Sequence, residues 1–217
     1  SAFTFTKVDA ASANHQGMFA DDVSDSSIAI GGLSAFSGAT IGLHANAFTS
    51  SSLSFAQSTA TGATAQGLLA DDFDGSSSLT VSAASTLGSA GDSGLRVQNW
   101  NAAGASVSIS DSAVTSTATS ALVFHTVSGA TGTLSNVNVG GSIYGALFAF
   151  QTNTVITVTG STIVGGSTSQ GVALHDSTGS AVVLSTSVYL YNEIVNCNTP
   201  PLVIDSPPLG STTLVRD

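Results

Sequence analysis

Basic residues and cysteine are scarce in this chain of 217 residues. Lys and Arg together number 3 against 13 Asp and Glu, which gives a formal net charge of −10 at pH 7. A surface that neutralises phosphate groups needs clustered positive charge, so nucleic acid and anionic membranes are not expected as partners. Cys197 is the only cysteine. One thiol can form neither an internal disulfide nor a thiolate metal cluster.

Strong helix formers and long apolar runs are scarce as well. Charged residues are 7% of the chain, and Ser, Thr, Ala, Gly and Val dominate, which suits strands and tight turns better than helices. No stretch approaches the roughly 20 apolar residues of a membrane-spanning helix, so membrane insertion is not expected. The chain opens at Ser1 without Met, as a processed chain does. We therefore expect a mature protein that is secreted or held at the cell surface.

What the sequence does contain is a pattern that returns about every 25 residues. Each occurrence has a Gly or Ala, then an apolar residue, then another apolar residue two positions later, as in Gly67, Leu68 and Ala70. The repeats begin at Gln16, Ile41, Gln66, Ser93, Ser120, Gly145 and Gln170. Each repeat has room for three short strands of alternating polarity joined by Gly, Ser, Asp and Asn turns. No single repeat can bury its own apolar side chains, so the repeats must stack.

This periodicity predicts an all-β parallel solenoid of about seven coils of 25 to 27 residues, with three short strands in each coil. We predict a β-helix over residues 1–197. The remaining residues, 198–217, contain two Pro-Pro pairs and no repeat. They predict a Pro-rich C-terminal cap, or an arm that reaches a neighbouring molecule.

Two stretches, "TLSNVNVGGSIYGALF" and "ITVTGSTIVGGSTSQGVAL", resemble the right-handed parallel β-helix superfamily of pectate-lyase-like proteins. The resemblance extends from Ala2 to about Cys197 and is one of pattern. It implies the fold and the right-handed winding much more than an activity. Members of that superfamily include polysaccharide lyases as well as adhesin-type and structural repeat proteins.

Two pairs of adjacent carboxylates lie fifty residues apart, at Asp21-Asp22 and Asp71-Asp72. Fifty residues make two coils, so Asp21 and Asp71 are predicted to share one outward column, about 10 Å apart, with Asn46 between them. Turn-forming Asp residues explain the pairs. The same oxygens could also form a calcium site of Asp21, Asp22, Asn46, Asp71 and Asp72.

A polysaccharide lyase or hydrolase is a further interpretation, since inverting hydrolysis needs carboxyl groups roughly 6.5 to 9.5 Å apart. The basic residues that would hold an acidic polysaccharide are missing around these pairs, and we assign no catalytic residue. His125 and His175 are predicted two coils apart in the same column. That separation is too large for one zinc ion.

The outward columns suggest two surfaces. One column of the first sheet is predicted to be mostly apolar, which would make Phe19, Leu69, Val123 and Phe148 part of an interface. The second sheet is predicted to present small hydroxyl residues in two columns, which begin at Ser27 and Ala29. Regular ranks of hydroxyl groups on a flat face also occur in ice-binding solenoids.

We expect an extracellular structural protein, a rigid subunit that self-associates into a filament, sheath or surface layer, or that acts as an adhesin. Its partners would be copies of itself, with the segment after Cys197 reaching the next subunit, or a cell-surface component or glycan. No cofactor is expected, with calcium left open. Ice binding through the Ser/Thr face is the first alternative, and polysaccharide cleavage is the second.

Overall fold

A computed structural model of the chain describes residues 1–166, 171–185, 188–189, 191–195, 202–205 and 212–216. Within these residues 27 strands and no helix occur, and every strand pairing is parallel. The strands form three sheets, because each coil contributes one strand to each sheet in turn. The predicted parallel β-helix is thereby confirmed.

Sheet 1 collects the first strand of each coil and, in the described residues, has ten strands. It consists of β3 (Met18–Ala20), β4 (Val23–Ser24), β7 (Leu43–Thr49), β10 (Leu68–Asp74), β13 (Leu95–Asn101), β16 (Leu122–Ser128), β19 (Ala146–Thr152), β22 (Val172–His175), β25 (Tyr191–Val195) and β27 (Thr212–Arg216).

Sheet 2 follows in each coil and has nine described strands. It consists of β1 (Ala2–Thr6), β5 (Ser27–Gly31), β8 (Ser52–Ala56), β11 (Ser78–Ser82), β14 (Ser106–Ser110), β17 (Thr131–Ser135), β20 (Val155–Thr159), β23 (Ala181–Ser185) and β26 (Leu202–Asp205). At about 4.8 Å per strand, these strands span about 38 Å along the axis.

Sheet 3 completes each coil and has eight described strands. It consists of β2 (Asp9–Ser12), β6 (Ala35–Gly38), β9 (Thr59–Gly62), β12 (Thr86–Ser89), β15 (Ala113–Ser116), β18 (Asn138–Gly140), β21 (Thr162–Val164) and β24 (Val188–Tyr189).

The repeat predicted from the sequence sets the register over most of the molecule. Leu68 pairs with Leu43 on one side and Leu95 on the other. In sheet 1 the sixth coil is the exception, because Leu122 pairs with Ala146, one residue earlier than the sequence pattern suggested. The side chains of β19 therefore lie on the opposite side of the sheet from the predicted one. Phe148, predicted to face outward, pairs with Phe124 and is fully buried.

The interior is packed with columns of identical or similar side chains. Phe48, Phe73 and Trp100 come from three successive coils and stack with ring centroids 4.6 and 4.4 Å apart. The Trp100 indole N–H donates to the Ala70 carbonyl oxygen at 3.2 Å. All three rings are fully buried. Such stacking suits a fold in which equivalent residues lie about 4.8 Å apart.

A corner within sheet 1 gives this sheet two facets. In every coil one residue of the strand takes a left-handed backbone conformation, with φ between 46° and 56°. This corner column consists of Asp22, Ala47, Asp72, Asn99, Thr126, Phe150 and Asp176. Asp and Asn tolerate that conformation better than other residues with a side chain. The corner explains why a predicted turn follows Asp21 and Asp71.

The C-terminal segment that begins at residue 198 contributes two described strands. β26 pairs with β23 in sheet 2, and β27 pairs with β25 in sheet 1. The strands of this segment thus add to the same two sheets as the preceding coils. Its role as a cap or an arm stays a prediction. Cys197 lies outside the described residues.

Candidate functional site on the outer face of sheet 1

The outer face of sheet 1 carries most of the chemically active side chains that the structure describes. Three of the four histidines of the chain point outward here: His44, His125 and His175. Asp21 and Asp71 lie in the same set of outward columns, and Arg96 lies beside them. This face is therefore the candidate site.

The two predicted carboxylates are bonded to amide side chains of the neighbouring coil. Asp21 Oδ1 accepts a hydrogen bond from Asn46 Nδ2 at 2.7 Å. Asp71 accepts from Gln98 Nε2 at 2.9 Å and from Asn99 Nδ2 at 2.8 Å. These contacts link successive coils along the axis. The sequence thus placed Asp21, Asn46 and Asp71 correctly in one outward column, and their bonds tie the coils together.

Arg96 is held within the same network. Its Nε donates to Gln98 Oε1 at 2.6 Å, and its Nη1 lies 3.5 Å from Asp92 Oδ2. Asp92 also accepts hydrogen bonds from Gln66 and Thr119. The guanidinium therefore neutralises a carboxylate of its own chain and is not directed at an external anion.

His44 lies between Phe19 and Leu69 in the outward column next to the carboxylates. Its ring centroid is 4.9 Å from that of Phe19. Both ring nitrogens are shielded from solvent and have no hydrogen-bond partner in the structure. Burial lowers the pKa of His44, and the nearby carboxylates of Asp71 and Asp21 oppose that effect only in part.

His125 occupies the carboxylate column three coils after Asn46. Burial is the larger cause that lowers the pKa of His125, and the positive charge of Arg96 lowers it further. Its Nδ1 lies 2.9 Å from Thr126 Oγ1, and its ring packs edge-on with the Phe150 ring at a centroid distance of 5.1 Å. Both described histidines with a shifted pKa thus favour the neutral form.

The residues predicted to bind calcium lie on two different facets. Asp22 and Asp72 are exposed in the corner column, whereas Asp21, Asn46 and Asp71 lie in the column before it. Among the residues described, no group of three or more His, Cys, Asp or Glu side chains lies close enough to hold a metal ion. Calcium binding stays a prediction without support from this geometry.

The predicted apolar interface is not a continuous exposed row. Phe19 is 53% exposed, but Leu69 and Val123 are only 7% and 4% exposed, and Phe148 is in the core. Arg96 pairs with Leu69 on one side and Val123 on the other. Long side chains such as Arg commonly lay their aliphatic part along neighbouring apolar surface, which is consistent with the low exposure of these two neighbours. Leu69 and Val123 do lie in the predicted outward column, but the prediction that their side chains are exposed was wrong.

A groove of about 430 Å³ follows the corner of sheet 1 over four coils. It lies between the corner column and the next outward column. Its lining consists of Asp72, Asn99, Asn101, Thr126, Val127, Ser128, Phe150 and Thr152. Sequence reasoning missed this groove because it placed Phe150 one column away. The signal that could have found it is the aromatic residue in a position that elsewhere holds Asp, Asn, Thr or Ala.

No protein-family model matches this chain, and no curated protein matches it. Among solved structures, the A-module of the mannuronan C-5 epimerase AlgE4 from Azotobacter vinelandii is similar, with 9% sequence identity and a TM-score of 0.37. The match covers 98% of this chain and 80% of that one. This likeness is too distant to bear on activity. The assignment of this chain to the parallel β-helices rests on its own strand pairing.

None of the described residues forms a helix long and apolar enough to cross a membrane.

Proposed function

We propose that this protein is a structural β-helix that works outside the cell and joins copies of itself end to end. It acts as a rigid rod and uses no active site. The observation that supports this proposal is the state of the first described coil. There, β1, β2 and β3 each stand at the end of a sheet and have a described neighbour on one side only.

The apolar interior is also uncovered at this end. Phe3 lies in an inward column, where it pairs with Ile28, and yet it is 53% exposed. Phe5, Val8 and Met18 are only partly buried against the core. Covering the exposed half of one such ring contributes about 1 kcal/mol. An unpaired strand edge beside it offers backbone donors and acceptors to another strand.

A second copy is the occupant that fits the shape of this end. The described strand pairings are all parallel and the described coils keep the three-sheet outline, so a copy stacked head to tail would continue all three sheets. A head-to-tail contact that does not close produces a filament. Backbone pairing of this kind is a common way to recruit an added strand.

The proposal is tested by electron microscopy and sedimentation of the purified chain across a concentration series. We expect filaments of one rod diameter in the unmodified protein and monomers in Phe3→Lys. Thr4→Lys is the matched control, because it adds the same charge to the same strand on the outward face. Monomers at every concentration would overturn end-to-end assembly, as would filaments that persist in Phe3→Lys.

A second test concerns the C-terminal segment. Removal of residues 198–217 deletes β26 and β27, which end two of the described sheets. We expect the truncated chain to lose assembly while its circular dichroism remains that of a β-protein. Filaments formed by the truncated chain would show that this segment does not contact the next subunit.

Ice binding remains a second candidate because one specific feature favours it. The two outward Ser/Thr columns predicted for sheet 2 are in register in the structure, through pairs such as Ser78 with Ser106 and Thr80 with Ser108. The hydroxyl groups therefore repeat about every 4.8 Å along the axis and about 6.6 Å along each strand. Thermal hysteresis that disappears in Thr80→Lys would support ice binding, and its absence in the unmodified protein would exclude it.

A further inference from the structure

Phe150 stands out in the corner column of sheet 1. It has φ of 55°, and its side chain is 51% exposed. A bulky residue in the left-handed region is disfavoured by its own backbone, and the exposed ring gains little from burial. Equivalent positions in the coils before it hold residues such as Asn99 and Thr126. Neither local conformation nor core packing therefore explains a phenylalanine at this position.

The ring of Phe150 is held in place beside the corner groove. The rings of His125 and Phe150 meet at a steep interplanar angle of 69°, and His125 Nδ1 is in turn hydrogen-bonded with Thr126 Oγ1. Phe150 forms one end of the groove, and Asp72 lies three coils away at the other. Three inter-strand steps make the groove about 14 Å long. Its length suits a linear ligand of several units.

The polar lining of the groove offers both donors and acceptors. Asn101, Thr126 and Thr152 are exposed along it, and their amide and hydroxyl groups can each donate and accept. Asn99 is oriented in advance, because its Nδ2 donates to Asp71 at 2.8 Å. A few convergent polar groups beside an apolar surface are the usual composition of a small-molecule site.

The charge of the lining narrows the class of ligand. Asp72 is the one charged residue among the lining residues, and no Lys or Arg is among them. An anionic chain would find a carboxylate and no counter-charge there, so anionic polymers are disfavoured. A single carboxylate is also a poor site for a divalent cation. A neutral ligand with an apolar face and a rim of hydroxyl groups matches the exposed Phe150 ring and the amide and hydroxyl groups of the lining.

We propose that this corner groove binds a neutral oligosaccharide, with one sugar ring stacked on Phe150 and sugar hydroxyls bonded to Asn99, Asn101 and Thr126. The stacking uses the apolar face of the ring, and the amides exchange hydrogen bonds with the hydroxyls. The site is independent of end-to-end assembly, since β1 and the groove lie in different coils and different sheets. A monomeric protein would bind the sugar equally well.

The test is a titration of the full chain with cellotetraose, chitotetraose and laminaritetraose, and with trigalacturonate as the acidic comparison. Binding is followed by calorimetry or by NMR. We expect saturable binding of at least one neutral oligosaccharide and weaker or no binding of trigalacturonate. Phe150→Asn should reduce the affinity at least tenfold, and Asn101→Ala should reduce it several-fold.

Phe150→Asn separates a binding role from a structural one. Asn is well tolerated at positive φ, so the melting temperature should stay the same or rise while affinity falls. Phe19→Asn is the matched control, since Phe19 is a similarly exposed phenylalanine outside the groove, and it should bind as the unmodified protein does. Failure of all three neutral sugars to bind would overturn the proposal. Unchanged affinity in Phe150→Asn, or a preference for trigalacturonate, would overturn it too.

Discussion

At the scale of single residues, His44 is the side chain whose surroundings fit one protonation state best. Its two ring nitrogens are shielded and lack hydrogen-bond partners, while the ring packs against Phe19 at a tilt of 42°. A neutral imidazole tolerates this place at the cost of unmade hydrogen bonds, and a charged one would also lose its hydration. The carboxylates of Asp21 and Asp71 lie near enough to raise the pKa, but burial outweighs them.

This environment predicts a loss of stability in mild acid. The folded-state pKa of His44 is lower than the value of 6.5 in the unfolded chain, so the unfolded chain binds more protons below pH 6.5. The free energy of unfolding should therefore be highest above pH 6.5 and fall as pH decreases, until the folded protein also takes up the proton. Urea unfolding between pH 8 and pH 5 measures this.

His44→Phe keeps an aromatic ring beside Phe19 and removes the titrating group. We expect the free energy of unfolding of this variant to depend less on pH between pH 8 and pH 5. A smaller decrease toward acid should remain because the pKa of His125 is also lowered. Adding His125→Phe should remove this remaining pH dependence. A pH dependence unchanged in the double variant would show that other groups cause it.

At the scale of strands, the alternation of polar and apolar residues in sheet 2 correctly predicted which side chains face inward. In β11, Leu79 and Val81 are buried and the Ser and Thr residues between and beside them face outward, as predicted. In β19 the sequence from Ala146 to Phe150 is apolar at every position. Inward and outward positions cannot be told apart in a strand that is apolar throughout, so the pattern could not fix the register. Phe148 and Phe150 were consequently assigned to the wrong columns.

The sequence predicted where the turns between strands lie, but not how those turns bond one coil to the next. The composition predicted Ser-rich turns, but it did not show that their hydroxyl groups bond between coils. Ser77 is fully buried, and its single Oγ–H is shared between the Asp74 and Phe48 carbonyl oxygens, at 2.6 and 2.9 Å. The same oxygen accepts the backbone N–H of Ser51 at 3.2 Å. One hydroxyl thus joins two coils at the point where sheet 1 gives way to sheet 2.

Ser77→Ala should destabilise the protein by about 1 to 3 kcal/mol, because it leaves the buried Ser51 N–H without this acceptor. The measurement is the free energy of unfolding in urea at pH 7.5. Ser76→Ala is the matched control one residue away, since Ser76 is exposed, and its effect should stay within about 0.5 kcal/mol. Equal effects of the two substitutions would mean that the buried hydroxyl group does not contribute to the free energy of unfolding.

At the scale of the whole molecule, each coil depends on its two neighbours for burial and for backbone pairing. Stability in such a stack is close to a sum of coil and interface contributions. The central coils, such as that of β8, have described partners on both sides, whereas β1 has one on one side only. The repeat alone predicted the stack over residues 1–197, but it did not predict that β26 and β27 extend two of the sheets. The way in which its ends are covered was not predictable, because the repeat contains no information about a partner.

This difference predicts a gradient of hydrogen exchange along the rod. In dilute solution, amides of β1 and β2 should exchange faster than those of β8 and β11, because the first coil can open without disrupting a second interface. Under conditions that produce filaments, a stacked copy supplies the missing interface, and protection of β1 and β2 should rise toward that of β8. The same experiment on Phe3→Lys should show no such rise.

Equal protection of β1 and β8 in dilute monomer would contradict the gradient. A rise in Phe3→Lys would locate the contact away from the end of the core.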